Sequence, residues 1–321
     1  MRGLYVENGR LRYREDLPRP RAGPNECRVQ VLLAGVCATD LALVRGYMGF
    51  EGVPGHEFVG LALDGPLAGR RVVGEINAAC GECPACRAED SWGERHCANR
   101  SVLGILDRGG AFAEELALPT ANLHPVPEGV SDEAATFTEP LAAAFEIPEQ
   151  LELAPGEHAL VVGDGRLGLL CAQVLASRGL HVELAGRHPE RGALFPGAGI
   201  RHLGDLAGAG TGYDLVVEAT GHPAVLQEAL ARVRPRGRLV LKTTAEAPAP
   251  LDLAPLVVNE ITLVGSRCGP FGPALEALAT GAVAVEPLIH GRFPLAEGAA
   301  AFERAAAPGV LKILVEPRGE A

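Results

Sequence analysis

Up to about residue 140, apolar and polar positions alternate in short runs that glycine and proline interrupt. MRGLYVENGRLRYRED alternates in this way, and CRVQVLLAGVCATD, EFVGLALDGPLAGRRVVGEI and AFAEELALP read as further strands separated by turns. The pattern predicts a β-rich domain over residues 1–140. From ALVVGDGRLGLLCAQVLASRG onward the period changes. An apolar strand, a glycine turn and a helical stretch are followed by strands at HVELAG, DLVVEATG, RLVLKTT and ITLVGS, with helical patterns between several of them. That alternation predicts a doubly wound parallel sheet over residues 141–267. The tail, 268–321, reads as a helix, a proline-containing turn region, a second helix at LAEGAAAFERAAA and a final strand. There is no internal repeat and no low-complexity segment.

Composition narrows the class. With 321 residues, 47% hydrophobic content and a mean hydropathy of +0.14, the chain can bury two cores. An aromatic share of 4% beside 41 glycines suits an α/β protein in which small residues let helices approach a sheet. The net charge of −11 disfavours a nucleic-acid backbone as partner. No apolar run reaches membrane-spanning length and the first residues contain no continuous hydrophobic stretch, so a cytoplasmic protein without a membrane partner is expected. In a reducing compartment, clustered cysteines serve more often as metal ligands or redox groups than as disulfides.

In VVGDGRLG, Gly163, Gly165 and Gly168 form G-x-G-x-x-G, with Leu167 inside the motif, directly after a strand and at the start of a helix. The first glycine permits a tight turn, the second lets a pyrophosphate approach the backbone, and the third lets the helix pack on the strand. A dinucleotide site is therefore expected. An NAD enzyme usually has an acid at the end of the next strand, where the adenosine ribose hydroxyls lie. Here that place holds Gly186, Arg187 and His188. No carboxylate repels a 2′-phosphate, and the Arg187 guanidinium can pair with one, so NADP is preferred over NAD. The alternative is that Glu183, three residues earlier in the strand, takes the ribose.

The stretch CGECPAC continues to a fourth cysteine, giving Cys80, Cys83, Cys86 and Cys97 in the pattern C-x2-C-x2-C-x10-C. Four thiolates on a lobe spanning 80–97 can enclose a tetrahedral zinc with no open position, as in a structural site. A redox C-x-x-C pair or inert thiols are the alternatives. A second set is scattered: Cys37 in GVCATD, His56 and Glu57 in PGHEFVG, and Glu139 in FTEPLA. Each alone has an ordinary reading as a buried thiol, loop residue or helix-start carboxylate, and their spacing does not bring them together. Cys27, Cys171 and Cys268 lie in or beside apolar patterns and are read as packing residues.

Taken in order, GVCATD, GHEFVG, the four-cysteine lobe, EPLA, GxGxxG and DLVVEATG resemble the zinc-dependent medium-chain alcohol and polyol dehydrogenases over essentially the whole chain. TEPLA and the Gly-Arg pair look most like the branch that contains NADP-using glucose dehydrogenases. The resemblance implies a GroES-like catalytic domain with the zinc lobe, a Rossmann domain, and a tail that returns to the catalytic domain. It implies two zinc ions per chain, one structural and one catalytic. Cys37 and His56 would bind the catalytic zinc, with Glu57 and Glu139 as remaining ligand candidates. Asp40 matches the carboxylate that orients the zinc histidine, and Thr39 the hydroxyl that receives the substrate's proton. Lys312 matches a basic position near the pyrophosphate. The chemistry implied is metal-assisted loss of an alcohol proton with hydride transfer to nicotinamide.

Three departures stand out. Ala42 replaces a histidine that continues the proton relay in many relatives, SWGERH lengthens the lobe, and the passage between GVCATD and GHEF is tight. The expected substrate is a secondary, sugar or polyol-type alcohol, and the expected assembly a homodimer or homotetramer. Two other readings remain: an NAD-dependent dehydrogenase of simple alcohols or aldehydes, and a pyridine-nucleotide sensor without turnover. A sensor needs no open metal site, so Cys37, Thr39, His56 and Glu139 together weigh against it.

Overall fold

The computed structural model describes residues 1–88, 92–244 and 251–318, with the backbone alone at 92 and 93. Ser91, where the SWGERH insert begins, lies outside the described residues. The chain divides into two units, Met1–Glu139 with Leu288–Ala321, and Pro140–Pro287.

The first unit is mostly antiparallel β. Strands Gly3–Glu7 and Arg10–Arg14 form a hairpin, Glu7 opposite Arg10, around Asn8 and Gly9, whose φ angles are 51° and 67°. Positive φ at both positions is what a two-residue turn needs to follow the strands' twist, and Asn-Gly supplies it at little cost. Leu4 and Val6 are buried on one face, as the alternation predicts. The principal sheet has seven strands, with Glu26–Gly35 at its centre. That strand pairs antiparallel with Glu57–Ala62, Glu115–Pro119 and, through Leu314 and Val315, the late strand Lys312–Glu316. Lys312–Glu316 in turn runs parallel to Ile289–Pro294, with helix Gly298–Ala306 between them in the chain. A three-stranded sheet, Asn77–Ala78, Ser101–Leu103 and Asp107–Arg108, flanks the cysteine lobe in sequence.

The tail thus returns to the first unit, but from residue 288 and not from 268. Residues 268–287 are held in the second unit by contacts that a hydropathy pattern does not contain. The Gln173 side chain donates to the Ala284 carbonyl at 3.0 Å and accepts from its amide at 2.9 Å. Gly269 passes so close to the helix Thr138–Gln150 that a Cβ there would lie 1.8 Å from the Ala142 oxygen.

The second unit is a six-stranded, all-parallel sheet in the order Ile200–His202, His181–Ala185, His158–Val162, Tyr213–Glu218, Val233–Leu241, Thr262–Gly265. The first strand of the unit sits inside the sheet, and the winding direction reverses between it and Tyr213–Glu218. In such a sheet the crevice at the carboxyl ends of the strands beside that reversal is where ligands bind. Helix Arg166–Ser177 is buried from Gly168 through Leu175, which explains its nearly unbroken apolar sequence. Leu160, Val162, Val216, Leu230 and Leu239 belong to the core beneath the sheet's other helices. Among the described residues, no helix is long and apolar enough to cross a membrane.

Candidate functional site

Sheet register assembles three of the four scattered candidates. Gly35 pairs with Glu57 across the central strands, so Cys37, two residues past Gly35, comes beside His56 and Glu57. Cys37 is the N-cap of helix Ala38–Val44, and Asp40 at the third helical position accepts the Cys37 amide at 2.8 Å, closing the helix start. The other Asp40 oxygen accepts the Gly55 amide at 3.1 Å and lies 3.3 Å from His56 Nδ1. One fully buried carboxylate thereby fixes the thiol and the imidazole loop together. Gly55, at φ +104°, cannot carry a side chain because a Cβ would lie 2.7 Å from the Phe112 ring.

Ligand atoms of Cys37, His56 and Glu57 lie within 4.8 Å of one another. His56 is buried, and its Nδ1 has no well-aligned hydrogen-bond partner. Burial opposes a proton on this imidazole, but Asp40 and the Cys37 sulfur hold its pKa well above the ordinary value. A thiol, an imidazole and a carboxylate in one buried corner form a donor set suited to zinc, which would take the place of that proton. Thr39 Oγ1 lies 3.9 Å from the Cys37 sulfur. Glu139 is half-buried in the first turn of helix Thr138–Gln150 and is not a member of the three-residue cluster.

Lys312 makes a contact the sequence did not indicate. It is 1% exposed and its ammonium donates to the Glu57 carboxylate, with Val36 O at 3.5 Å and the Phe137 ring centroid at 5.4 Å. Gly35 leaves room for the pair, since a Cβ there would lie 2.6 Å from Glu57 Oε2. The two residues are 255 apart in the chain, and only the pairing of Lys312–Glu316 with the central strand joins them.

The lobe cysteines are free thiols whose sulfurs converge. Cys83 lies 3.5 Å from Cys86 and 3.7 Å from Cys97, and Cys80 lies 3.5 Å from Cys97 and 3.9 Å from Cys86. Four sulfurs at about 2.3 Å from a tetrahedral zinc are separated by roughly 3.8 Å, so the lobe is already close to a zinc cage. Backbone amides of Glu82 and Cys83 lower the Cys80 thiol to about 6, while burial and the neighbouring thiols push Cys86 up to about 12. The chemistry is that of sulfurs sharing protons which a metal would displace.

In the second unit, a cavity of about 340 Å³ opens beside Gly163, Gly165, Gly186, Arg187, Ala219 and Thr220. Gly163 has φ +114°, and a Cβ on it would lie 2.8 Å from Ala219 O; a Cβ on Gly168 would lie 1.8 Å from Gly163 O. Nothing lies within 4 Å of a Cβ on Gly165, the N-cap of helix Arg166–Ser177, so that residue borders the open space a pyrophosphate needs. The loop residues suit a dinucleotide. Leu167 is half-buried in the helix's first turn and is not among the cavity walls. Glu183 is not at this cavity: Arg201 and the Tyr213 hydroxyl donate to it. Asp164, unremarked in the motif, is buried among His188, Arg191 and His202. The only hint in the sequence is an acid at the first variable position of the glycine motif.

Two family models match the chain, an alcohol dehydrogenase GroES-like domain over residues 23–128 and a zinc-binding dehydrogenase over 167–280. The chain belongs to the zinc-dependent medium-chain alcohol and polyol dehydrogenases, enzymes that act on alcohols with NAD or NADP. Among its relatives is the 2-dehydro-3-deoxy-L-galactonate 5-dehydrogenase of Pseudoalteromonas atlantica, 31% identical over 94% of both chains. Two solved structures superpose with a TM-score of 0.88 over 98% of this chain and 99% of theirs: the short chain alcohol dehydrogenase RspB of Escherichia coli CFT073 with NADH, 26% identical, and a putative zinc-binding dehydrogenase of Sinorhizobium meliloti with NADP, 25% identical.

Proposed function

We propose that the protein oxidises a secondary alcohol of a sugar, polyol or sugar acid with NADP⁺, and reduces the corresponding carbonyl with NADPH. The cluster of Cys37, His56 and Glu57 is the observation that carries this reading, because it is a buried, mixed donor set distinct from the all-sulfur lobe. Two zinc ions per chain follow: one held by Cys37 and His56 with Glu57 or Glu139, the other by Cys80, Cys83, Cys86 and Cys97.

Zinc held at the first site would supply Lewis acidity toward the substrate oxygen, and a dinucleotide held at the glycine loop would supply the hydride acceptor. The rest belongs to the chain. Asp40 holds the Cys37 and His56 segments in one geometry through the two amides it accepts. The Thr39 hydroxyl stands beside the Cys37 sulfur to receive the proton, and Ala42 ends the side-chain route at that helix, so the proton passes onward through water or substrate. Lys312 offsets the charge of Glu57, limiting the net negative charge that the cluster must hold without metal. Gly163 and Gly165 admit the dinucleotide pyrophosphate.

NADP is preferred because the end of strand His181–Ala185 presents no acid and Arg187 is exposed at the cavity wall. Relatives named for a sugar acid and for L-threonine favour a hydroxyl flanked by polar groups. The test is dinucleotide reduction against aldoses, polyols, sugar acids and simple alcohols, each with NADP⁺ and NAD⁺. The largest kcat/KM should fall to a polyhydroxylated substrate with NADP⁺. A maximum with a simple primary alcohol and NAD⁺ would replace this reading with that of a simple alcohol dehydrogenase.

The chain is a homodimer or homotetramer in this reading. Thr262–Gly265 is an edge strand of the second unit's sheet, and Val257 and Val258, a few residues before it in the chain, are 77% and 78% exposed. A sheet edge and exposed apolar side chains in one segment favour pairing with another copy. Light scattering should give at least twice the 33.4 kDa chain mass, and Val257→Asp with Val258→Asp should lower it; a wild-type monomer at micromolar concentration contradicts the assembly.

A further inference from the structure

Asp164 lies between the first two glycines of the loop and is 5% exposed. Its Oδ2 accepts the His188 amide at 2.7 Å and lies 3.3 Å from His202 Nε2. Its Oδ1 lies 3.0 Å from His188 Nδ1 and 3.5 Å from Arg191 Nη1, and Arg191 also donates to the Asp164 carbonyl at 2.6 Å. A carboxylate has about four lone-pair sites, and here four nitrogens face them. The oxygens have no remaining capacity for a ribose hydroxyl. Burial alone would raise this carboxyl's pKa, but His188 and Arg191 hold it below the ordinary value.

The same side chain fills the space above Gly186. A Cβ built on Gly186 would lie 2.1 Å from Asp164 Cγ and 2.4 Å from both its Cβ and Oδ2. Since Cβ is not the free end of a flexible chain, rotation of Asp164 does not relieve the overlap. Position 186 is where a ribose-binding acid would stand, at the end of strand His181–Ala185.

We propose that Asp164 sets the dinucleotide specificity of the pocket: it excludes every side chain from position 186 and positions the His188–Arg191 turn so that Arg187 faces the 2′-phosphate. This rests on the NADP reading above for its direction. Asp205 and His222 are the other titratable groups on the cavity wall. Asp164 is a positioning residue, acting through its neighbours while its own charge is spent on them.

Two observations test it on the whole protein. The first is calorimetric binding of NADP⁺ and NAD⁺ to wild type, Gly186→Asp, Asp164→Gly and the double variant Asp164→Gly/Gly186→Asp. Wild type should favour NADP⁺. Asp164→Gly should lose about tenfold in NADP⁺ affinity with NAD⁺ little changed, as expected for one misplaced charge-assisted contact. The double variant should favour NAD⁺, and Gly186→Asp alone should bind neither well. The second observation is thermal melting of Gly186→Ala, Asp164→Gly and their combination. Gly186→Ala should melt well below wild type, and Asp164→Gly should recover most of that loss.

A clean switch to NAD⁺ in Gly186→Asp alone, at wild-type melting temperature, overturns the proposal. So does additivity of the melting shifts. A wild type that favours NAD⁺ overturns the NADP reading and the direction of specificity, while the melting cycle still decides whether Asp164 controls position 186.

Discussion

Cys37→Ser is expected to lose at least about a thousandfold in kcat, equivalent to about 4 kcal/mol of transition-state stabilisation, while dinucleotide affinity stays within about twofold. The prediction follows from where Cys37 lies. Its sulfur is one of three donors in the buried cluster of the first unit, whereas the glycine loop and its cavity are built wholly from the second. A serine oxygen is shorter and harder than a thiolate, and it is not ionised near neutral pH, so the metal loses a ligand and a charge. Backbone contacts should survive, because Asp40 binds the amide of residue 37 and not its side chain. Steady-state kinetics with the best alcohol substrate, beside titration with the dinucleotide, checks both halves. Near-wild-type kcat in Cys37→Ser contradicts the assigned site, and a parallel loss of dinucleotide binding indicates a folding defect instead.

The second large effect is expected at Lys312. Replacing it by methionine keeps most of the volume but leaves the Glu57 carboxylate buried, at 1% exposure, without its cation. Removing one partner of a buried ion pair costs about 3–5 kcal/mol, more than the pair contributes over an apolar replacement. Zinc held by Cys37 and His56 beside Glu57 would supply positive charge in the same corner. The melting temperature of Lys312→Met should therefore fall much further below wild type in chelated protein than in zinc-loaded protein, and Glu57→Gln in the same chain should restore much of the loss. Equal melting temperatures for wild type and Lys312→Met without metal would mean that the pair does not carry the charge balance argued here.

Local chemistry was legible along the chain and distant pairing was not. The G-x-G-x-x-G loop and the four-cysteine lobe each need particular residue types at short spacing, and each can be read without knowing the rest of the fold. The hydrophobic period changes near residue 140, and the leading segment of the first unit ends at Glu139. The second boundary was missed by twenty residues, 268 against 288, because Gln173 with Ala284 and Gly269 with Ala142 are contacts across the chain. Cys37, His56 and Glu57 became a set only through the resemblance, and strand register supplies its physical basis. Nothing local to LKILV announces that Lys312 meets Glu57, and nothing in GDG announces that Asp164 closes position 186. Both depend on which strands and loops lie side by side, and both hold charged groups out of water, where their placement matters most.

Alcohol oxidation by this protein is proposed to require a metal held by Cys37 and His56 with Glu57 or Glu139. The most direct measurement is zinc content against turnover in one sample of wild type as chelator removes the metal and zinc is returned, with Cys37→Ser beside it. Wild type should hold two zinc ions per chain, lose turnover as the first is removed while still binding dinucleotide, and regain it on refilling; Cys37→Ser should hold one and never respond. Full turnover in metal-free wild type would show that the Cys37–His56–Glu57 cluster does not act through a metal.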